Sequence, residues 1–289
     1  MKQIKVGICV DGEKIEEKLP VLIDMGFESV SITYKTPMPN VDFSELAKRV
    51  NEIIGDRPVN VSSLGFYGNP LTSEEDQKAL SKLMLHAGEF GTDMVGTFAG
   101  ALTGRPVEEA IPKFRSVFGE IAKQAEDRGL KIAFENCLHG GTWRCATENI
   151  AFHPKAWEMM FDAVPSEHLG LEWEPAHQLA QLMDPVEQLE QWIGKVFHIH
   201  GKDAALNWDF IKKNGVSGVG YIAQFRNPGR GETDWRSIFK ILYQNHYTGH
   251  ISLESGHDPV YHGELELLGE KNTLEYLVWC RDAFHTVRN

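Results

Sequence analysis

Basic residues are in short supply in this chain: 29 Lys plus Arg stand against 41 Asp plus Glu, giving a formal charge of −12. Such a surface repels phosphate backbones and anionic headgroups, which argues against a nucleic-acid or membrane-surface partner. Long apolar runs are missing too, and none approaches the roughly 18 to 20 residues that a bilayer-spanning helix needs. The opening "MKQIKVGICVDGE" has no extended apolar region of the signal-peptide kind and leads directly into a strand-like run, so a cytoplasmic protein is expected. Cys9, Cys137, Cys145 and Cys280 show no CxxC spacing and read as free thiols of a reducing compartment. There is no GxGxxG after the first strand-like run and no P-loop type phosphate cradle. Without a Ser/Pro-rich linker, a charge block or a low-complexity tract, residues 1–289 are expected to form a single domain.

What is present is a regular alternation. Apolar residues make up 42% of the chain, enough for a packed core. Short apolar or β-branched runs occur at 4–10, 29–34, 58–65, 92–100, 130–137, 168–174, 195–201 and 249–255. Helical periodicity fills 12–26, 42–55, 73–90, 106–128, 153–163, 184–193, 233–246 and 271–286. Several of these segments carry start signals: Ser73 with Asp76 behind it, Pro106 followed by Glu108 and Glu109, and Asp184 before Pro185. Strict strand–helix alternation calls for a parallel sheet, because parallel neighbours need a crossover connection. Eight such units in a chain of this length predict an α/β protein, a single (β/α)8 TIM barrel.

A barrel gathers its chemistry at the C-terminal ends of the strands. Glu135, Glu174, His200 and Glu254 all stand late in consecutive runs, where a carboxylate is costly to bury unless paired or coordinated. Side chains alternate faces along a strand, so Glu135 shares a face with Ala133, Glu174 with Glu172, His200 with His198, and Glu254 with Ser252. The opposite faces carry Phe134, Leu171, Trp173, Phe197, Ile199, Ile251 and Leu253, which suit the helix-packed outside of a barrel. One upper interior layer is thus expected to hold Glu135, Glu174, His200 and Glu254, with His198 one layer deeper. Three carboxylates and an imidazole would repel without a cation; they suit one divalent ion, Mn2+, Mg2+ or Zn2+, unless nearby bases such as Lys202 pair with them instead.

The stretches "FEN" (134–136), "GLEWEPAH" (170–177), "FHIHGKD" (197–203), "GRGETDW" (229–235) and "ISLES" (251–255) resemble the sugar phosphate isomerase/epimerase family, whose fold is the xylose-isomerase-like TIM barrel. The likeness runs along essentially the whole chain. It implies a divalent metal held by Glu135, Glu174, His200 and Glu254, with Glu135 and Glu254 doubling as acid/base groups. Two departures stand out. Glu174 takes the place of a more usual Asp, and "SGHDP" follows Glu254, so His257 and Asp258 are expected to shape the mouth differently.

Such a site predicts a sugar isomerase or epimerase acting on a ketose or related hydroxy-carbonyl sugar. Proton transfer would run through a metal-stabilised enediolate. An inosose-type dehydratase, or a carbohydrate-binding protein of the same fold, is the alternative. Substrate-orienting roles are expected for His177, Lys202, Arg230, Glu232, Tyr67, Asn69 and His198. Competing readings are a rim salt bridge for Lys202 and Asp203, an aromatic loop lid for "GFYGNP" (65–70), and a loop shaped by Gly229 and Gly231 around Arg230 and Glu232. Asp234 reads as a helix cap. The partner is therefore a small-molecule carbohydrate, and the amphipathic last segment leaves homo-oligomerisation open.

Overall fold

The computed structural model describes residues 3–38, 40–216 and 220–284. Barrel strands are β1 (Lys5–Asp11), β2 (Ser29–Tyr34), β3 (Asn60–Phe66), β4 (Met94–Thr97), β5 (Lys131–Glu135), β6 (Leu169–Trp173) and β7 (Val196–Gly201). A short antiparallel pair follows, β8 (Asp203–Leu206) and β9 (Ala223–Arg226), and β10 (His250–Leu253) completes the set. The strand order is closed, β1-β10-β7-β6-β5-β4-β3-β2, and the pairs β1–β10, β10–β7, β2–β3, β3–β4, β4–β5 and β5–β6 are parallel. The expected (β/α)8 barrel is therefore the fold.

The helices are α1 (Ile15–Met25), α2 (Phe43–Ile54), α3 (Glu74–His86), α4 (Val107–Arg128), α5 (Pro154–Ala163), α6 (Pro175–Leu179), α7 (Pro185–Trp192), α8 (Trp208–Asn214), α9 (Trp235–Gln244) and α10 (Glu266–Asp282). Their starts follow local chemistry. Asp42, Ser73, Asp184 and Asp234 each accept a backbone N–H of the first turn. Gly26 and Gly129 end α1 and α4 in the left-handed conformation that a side chain resists. Residues 285–286, which the periodicity assigned to the last helix, lie outside the described residues. That helix begins earlier than expected, at Glu266, and β8, β9, α6 and α8 were not anticipated.

Contacts group the chain into two compact units. One comprises residues 9–173 and 195–198. Within it, β2 through β6 pair in sequence order, and the outward face of β5 meets α4 where Phe134 lies 4.8 Å from Phe118 and 5.5 Å from Phe114. Ser31 and Ser63 hydrogen-bond at 2.7 Å on the buried side of β2 and β3. The other unit comprises the residues up to 8, 174–194 and those from 199 on. Its core includes Trp235, Phe239, Leu242, Ile251, Leu253, Leu274 and Leu277, all buried.

Candidate active site

The last residue of β7 is Gly201, and Lys202 follows it with its ammonium buried. That Nζ lies 2.9 Å from Glu254 Oε2 and 3.6 Å from Glu174 Oε2. It also stands over the Phe225 ring, 4.7 Å from the centroid. Glu174 is fully buried; it occupies the N-cap position of α6, which Pro175 initiates, without a side-chain capping bond, and His177 one turn on brings Nε2 to 3.3 Å from Glu174 Oε1. His257 Nε2 lies 2.9 Å from Glu254 Oε1, and His200 Nδ1 lies 4.0 Å from Glu254 Oε2. Burial by itself opposes ionisation of Glu254. The Lys202 charge, the His257 hydrogen bond and the His200 ring outweigh it and hold this carboxyl well below the usual range.

One level deeper, Glu172 is fully buried with both oxygens engaged. Tyr67 donates to Oε2 at 2.7 Å and His198 Nδ1 lies 2.7 Å from Oε1. The residue that makes room for this carboxylate is Gly96 on β4, where a Cβ would stand 2.8 Å from both Glu172 oxygens and 3.0 Å from Tyr67 Oη. Burial, Glu172 and Glu135 push the Tyr67 hydroxyl well above its ordinary pKa, so it stays a hydrogen-bond donor. His198 thus serves the Glu172 carboxylate, and Tyr67 reaches inward rather than forming a lid.

In the strand register Glu135 pairs with Glu172, not Glu174, and His200 pairs with Ser252, not Glu254. Glu174 and Glu254 stand two residues further along, past the ends of β6 and β10. The four side chains nevertheless each offer a ligand atom within 4.8 Å of the others. Long glutamate side chains on staggered strand ends span what parity treats as a single layer.

Other candidates are engaged in holding loops. Asn69 accepts from Ala101 N–H and donates to Ala101 C=O. Glu232 accepts from Leu206 N–H and Trp208 Nε1–H, and Arg230 is exposed, 4.3 Å over Tyr261. Asp203 accepts backbone N–H groups of Ala204, Gly229, Gly231 and Thr233, so it ties down "GRGET" rather than reaching the rim. Burial raises its pKa in spite of those bonds. Asp258 likewise binds Arg226 and the N–H groups of Asn227, Val260 and Tyr261. Trp143 donates to Glu108, and Asp234 caps α9 as expected. Phe225 of β9, which motif reading passed over, packs its ring against Lys202 and His177, whose ring centroid lies 4.8 Å away. Alternation in "YIAQFRN" (221–227) was the available signal.

The donor set fits a hard divalent ion. Metal–ligand bonds of about 2.0–2.2 Å put opposite donors about 4.0–4.4 Å apart, within small adjustments of the spacing seen here. Glu172, His198 and His200 also come within 4.8 Å of one another, but Tyr67 and His198 already occupy Glu172. Glu254 is likewise engaged, by Lys202 and His257, so the two groups differ in composition: Glu135, Glu174, His200 and Glu254 offer three carboxylates and one imidazole, the harder donor set.

A closed parallel barrel with an acid–histidine cluster at the C-terminal ends of its strands defines a (β/α)8 protein with a candidate metal site. The family model for the xylose isomerase-like TIM barrel matches residues 20–281, and the chain belongs to that family. Inosose dehydratase of Clostridium botulinum (strain Alaska E43 / Type E3) is 26% identical over 296 residues, covering 91% of this chain and 93% of its own length. Inosose dehydratase of Clostridium perfringens (strain 13 / Type A) is 27% identical over 162 residues, 55% of this chain, and the chain spans only 52% of that relative. Among solved structures, 3-keto-D-glucoside 4-epimerase from E. coli has a TM-score of 0.71 at 14% identity, covering 96% of this chain and 100% of its own. L-ribulose 3-epimerase has a TM-score of 0.65 at 16% identity, covering 98% and 93%. At such identities the structural likeness speaks for the fold alone. No helix among the described residues is long and apolar enough to cross a membrane.

Proposed function

We propose that the protein is a divalent-metal-dependent enzyme that removes a proton from the carbon beside the carbonyl of a small hydroxy-carbonyl sugar and returns it, as an isomerase or epimerase. The observation that carries this reading is the grouping of Glu135, Glu174, His200 and Glu254. A divalent ion held by these four would act as a Lewis acid on the sugar's oxygens. Glu254, kept ionised by Lys202, His257 and His200, is the base that accepts the proton. Glu135, from a different strand, is the acid/base group for the other face. Delivery to the same carbon from that face inverts the centre; delivery to the neighbouring carbon interchanges aldose and ketose. Lys202 and His177 orient substrate oxygens, while Tyr67 and His198 hold Glu172 beneath. Asn69, Arg230 and Glu232 act through the loops they anchor.

Dehydration is the second reading. It begins with the same proton removal and ends with loss of a β-hydroxyl, to which the Lys202 ammonium, 2.9 Å from Glu254, could give a proton. The inosose dehydratase that matches along 91% of this chain favours it.

The test is incubation of the Mn2+-loaded protein with ketoses and inososes in D2O, followed by NMR and ultraviolet spectroscopy. Deuterium next to the carbonyl with an isomeric product, abolished in Glu135→Gln and Glu254→Gln, supports isomerisation or epimerisation. An ultraviolet-absorbing enone or dione identifies the dehydratase. A metal-loaded protein that exchanges no proton with any of these sugars overturns both and leaves a carbohydrate-binding role.

A further inference from the structure

Lys202, the base that the sequence offered as an alternative partner for these carboxylates, does stand beside two of the groups assigned to a divalent ion. Its ammonium lies 2.9 Å from Glu254 and 3.6 Å from Glu174, closer to both than the His200 ring nitrogen lies to Glu254. The side chain is buried, and the Phe225 ring closes the other side of its charge at 4.7 Å. Phe225 is in turn placed by hairpin pairing, Ala204 with Phe225, and by packing of Ala204 against Ala176 and Leu179 of α6. A buried ammonium fixed this way is part of the site's charge and is not a rim side chain that swings in water.

Resting on the metal assignment above, we propose that Lys202, clamped by Phe225, is a built-in cation that shares Glu174 and Glu254 with the divalent ion and sets how tightly that ion is held. The physical reason is like-charge repulsion. A fixed positive charge within a few ångströms of the same carboxylates raises the free energy of a divalent ion there, in a medium that screens poorly. The same charge relieves repulsion between Glu174 and Glu254 and so stabilises the ion-free fold. One residue thus trades metal affinity for stability of the bare site. A merely orienting role makes the opposite forecast, because loss of a partner that aligns metal ligands weakens binding about 10- to 100-fold.

Calorimetric titration of the chelator-treated full-length protein with MnCl2 alone, at about pH 8 where an unperturbed imidazole is neutral, separates the two. We expect Lys202→Met to bind Mn2+ at least about tenfold more tightly than wild type, while Lys202→Arg, which keeps the charge, stays near wild type. Thermal unfolding should show the Met variant less stable without Mn2+ and gaining more from it. Phe225→Leu, which keeps the lysine but frees it, should bind Mn2+ with an affinity between those of wild type and Lys202→Met. Should Lys202→Met fail to fold, Lys202→Gln and Phe225→Leu carry the same comparison. Equal or weaker Mn2+ binding by the charge-removing variants overturns the proposal. Wild type that binds no Mn2+ would instead refute the functional reading, and binding gained only on removal of Lys202 would uphold this inference by itself.

Discussion

Glu254 shows how single side chains set the chemistry. Its carboxyl is held well below the ordinary range because Lys202, His257 and His200 together outweigh the cost of burial. A folded-state pKa that is depressed contributes stability above the group's unfolded value and loses it as pH falls through the folded one. Glu254→Gln should therefore lose less stability than wild type on going from about pH 7 to about pH 3, measured by urea unfolding at both. Tyr67 makes a different forecast. Tyr67→Phe leaves Glu172 Oε2 without its 2.7 Å donor and should cost about 1–3 kcal/mol in the same assay. Parity along β6 put Glu172 and Glu174 on one face, and the proline after Glu174 marked it as the rim residue. That Glu172 is the buried partner of Tyr67 and His198 was not legible, because the space for it comes from Gly96 on β4, a residue with no pattern of its own.

At the scale of elements, the barrel strands and their helices were readable because each carries its own period and cap. Asp234→Ala removes the acceptor for Ser237 N–H at the start of α9 and should cost about 1 kcal/mol in thermal or urea unfolding. The β8–β9 hairpin escaped detection for a physical reason. Strand β8 begins two residues after Gly201, so "KVFHIHGKDAA" reads as one strand and its end, and each hairpin strand is only four residues long. A two-stranded ribbon of that length is stable only by packing elsewhere, here through Ala204 and Phe225 against α6 and through Arg226 on Asp258. Loop motifs such as "GRGETDW" looked like substrate contacts for the same reason: their true partner, the Asp203 carboxylate at the start of the hairpin, follows His200 closely in sequence and belongs to a different sheet.

For the molecule as a whole, the metal reading carries a thermodynamic consequence that needs no knowledge of the substrate. Glu135, Glu174 and Glu254 gather with His200 in a chain that already carries a formal charge of −12. Folding must bring these like charges together, while the unfolded chain keeps them apart in water. A ligand that binds only the folded chain stabilises it by mass action, about 2.7 kcal/mol at a free concentration of 100 times Kd. Mn2+ at that excess should raise the melting temperature of the chelator-treated protein and EDTA should reverse the rise, whereas a monovalent salt at equal ionic strength should not reproduce it. His200→Ala removes the nitrogen donor and should shrink the Mn2+-dependent shift. His246→Ala, outside the cluster, should leave it intact. A shift of equal size in His200→Ala and wild type would mean that Mn2+ stabilises the fold from some other site, and the four-residue assignment would fall with it.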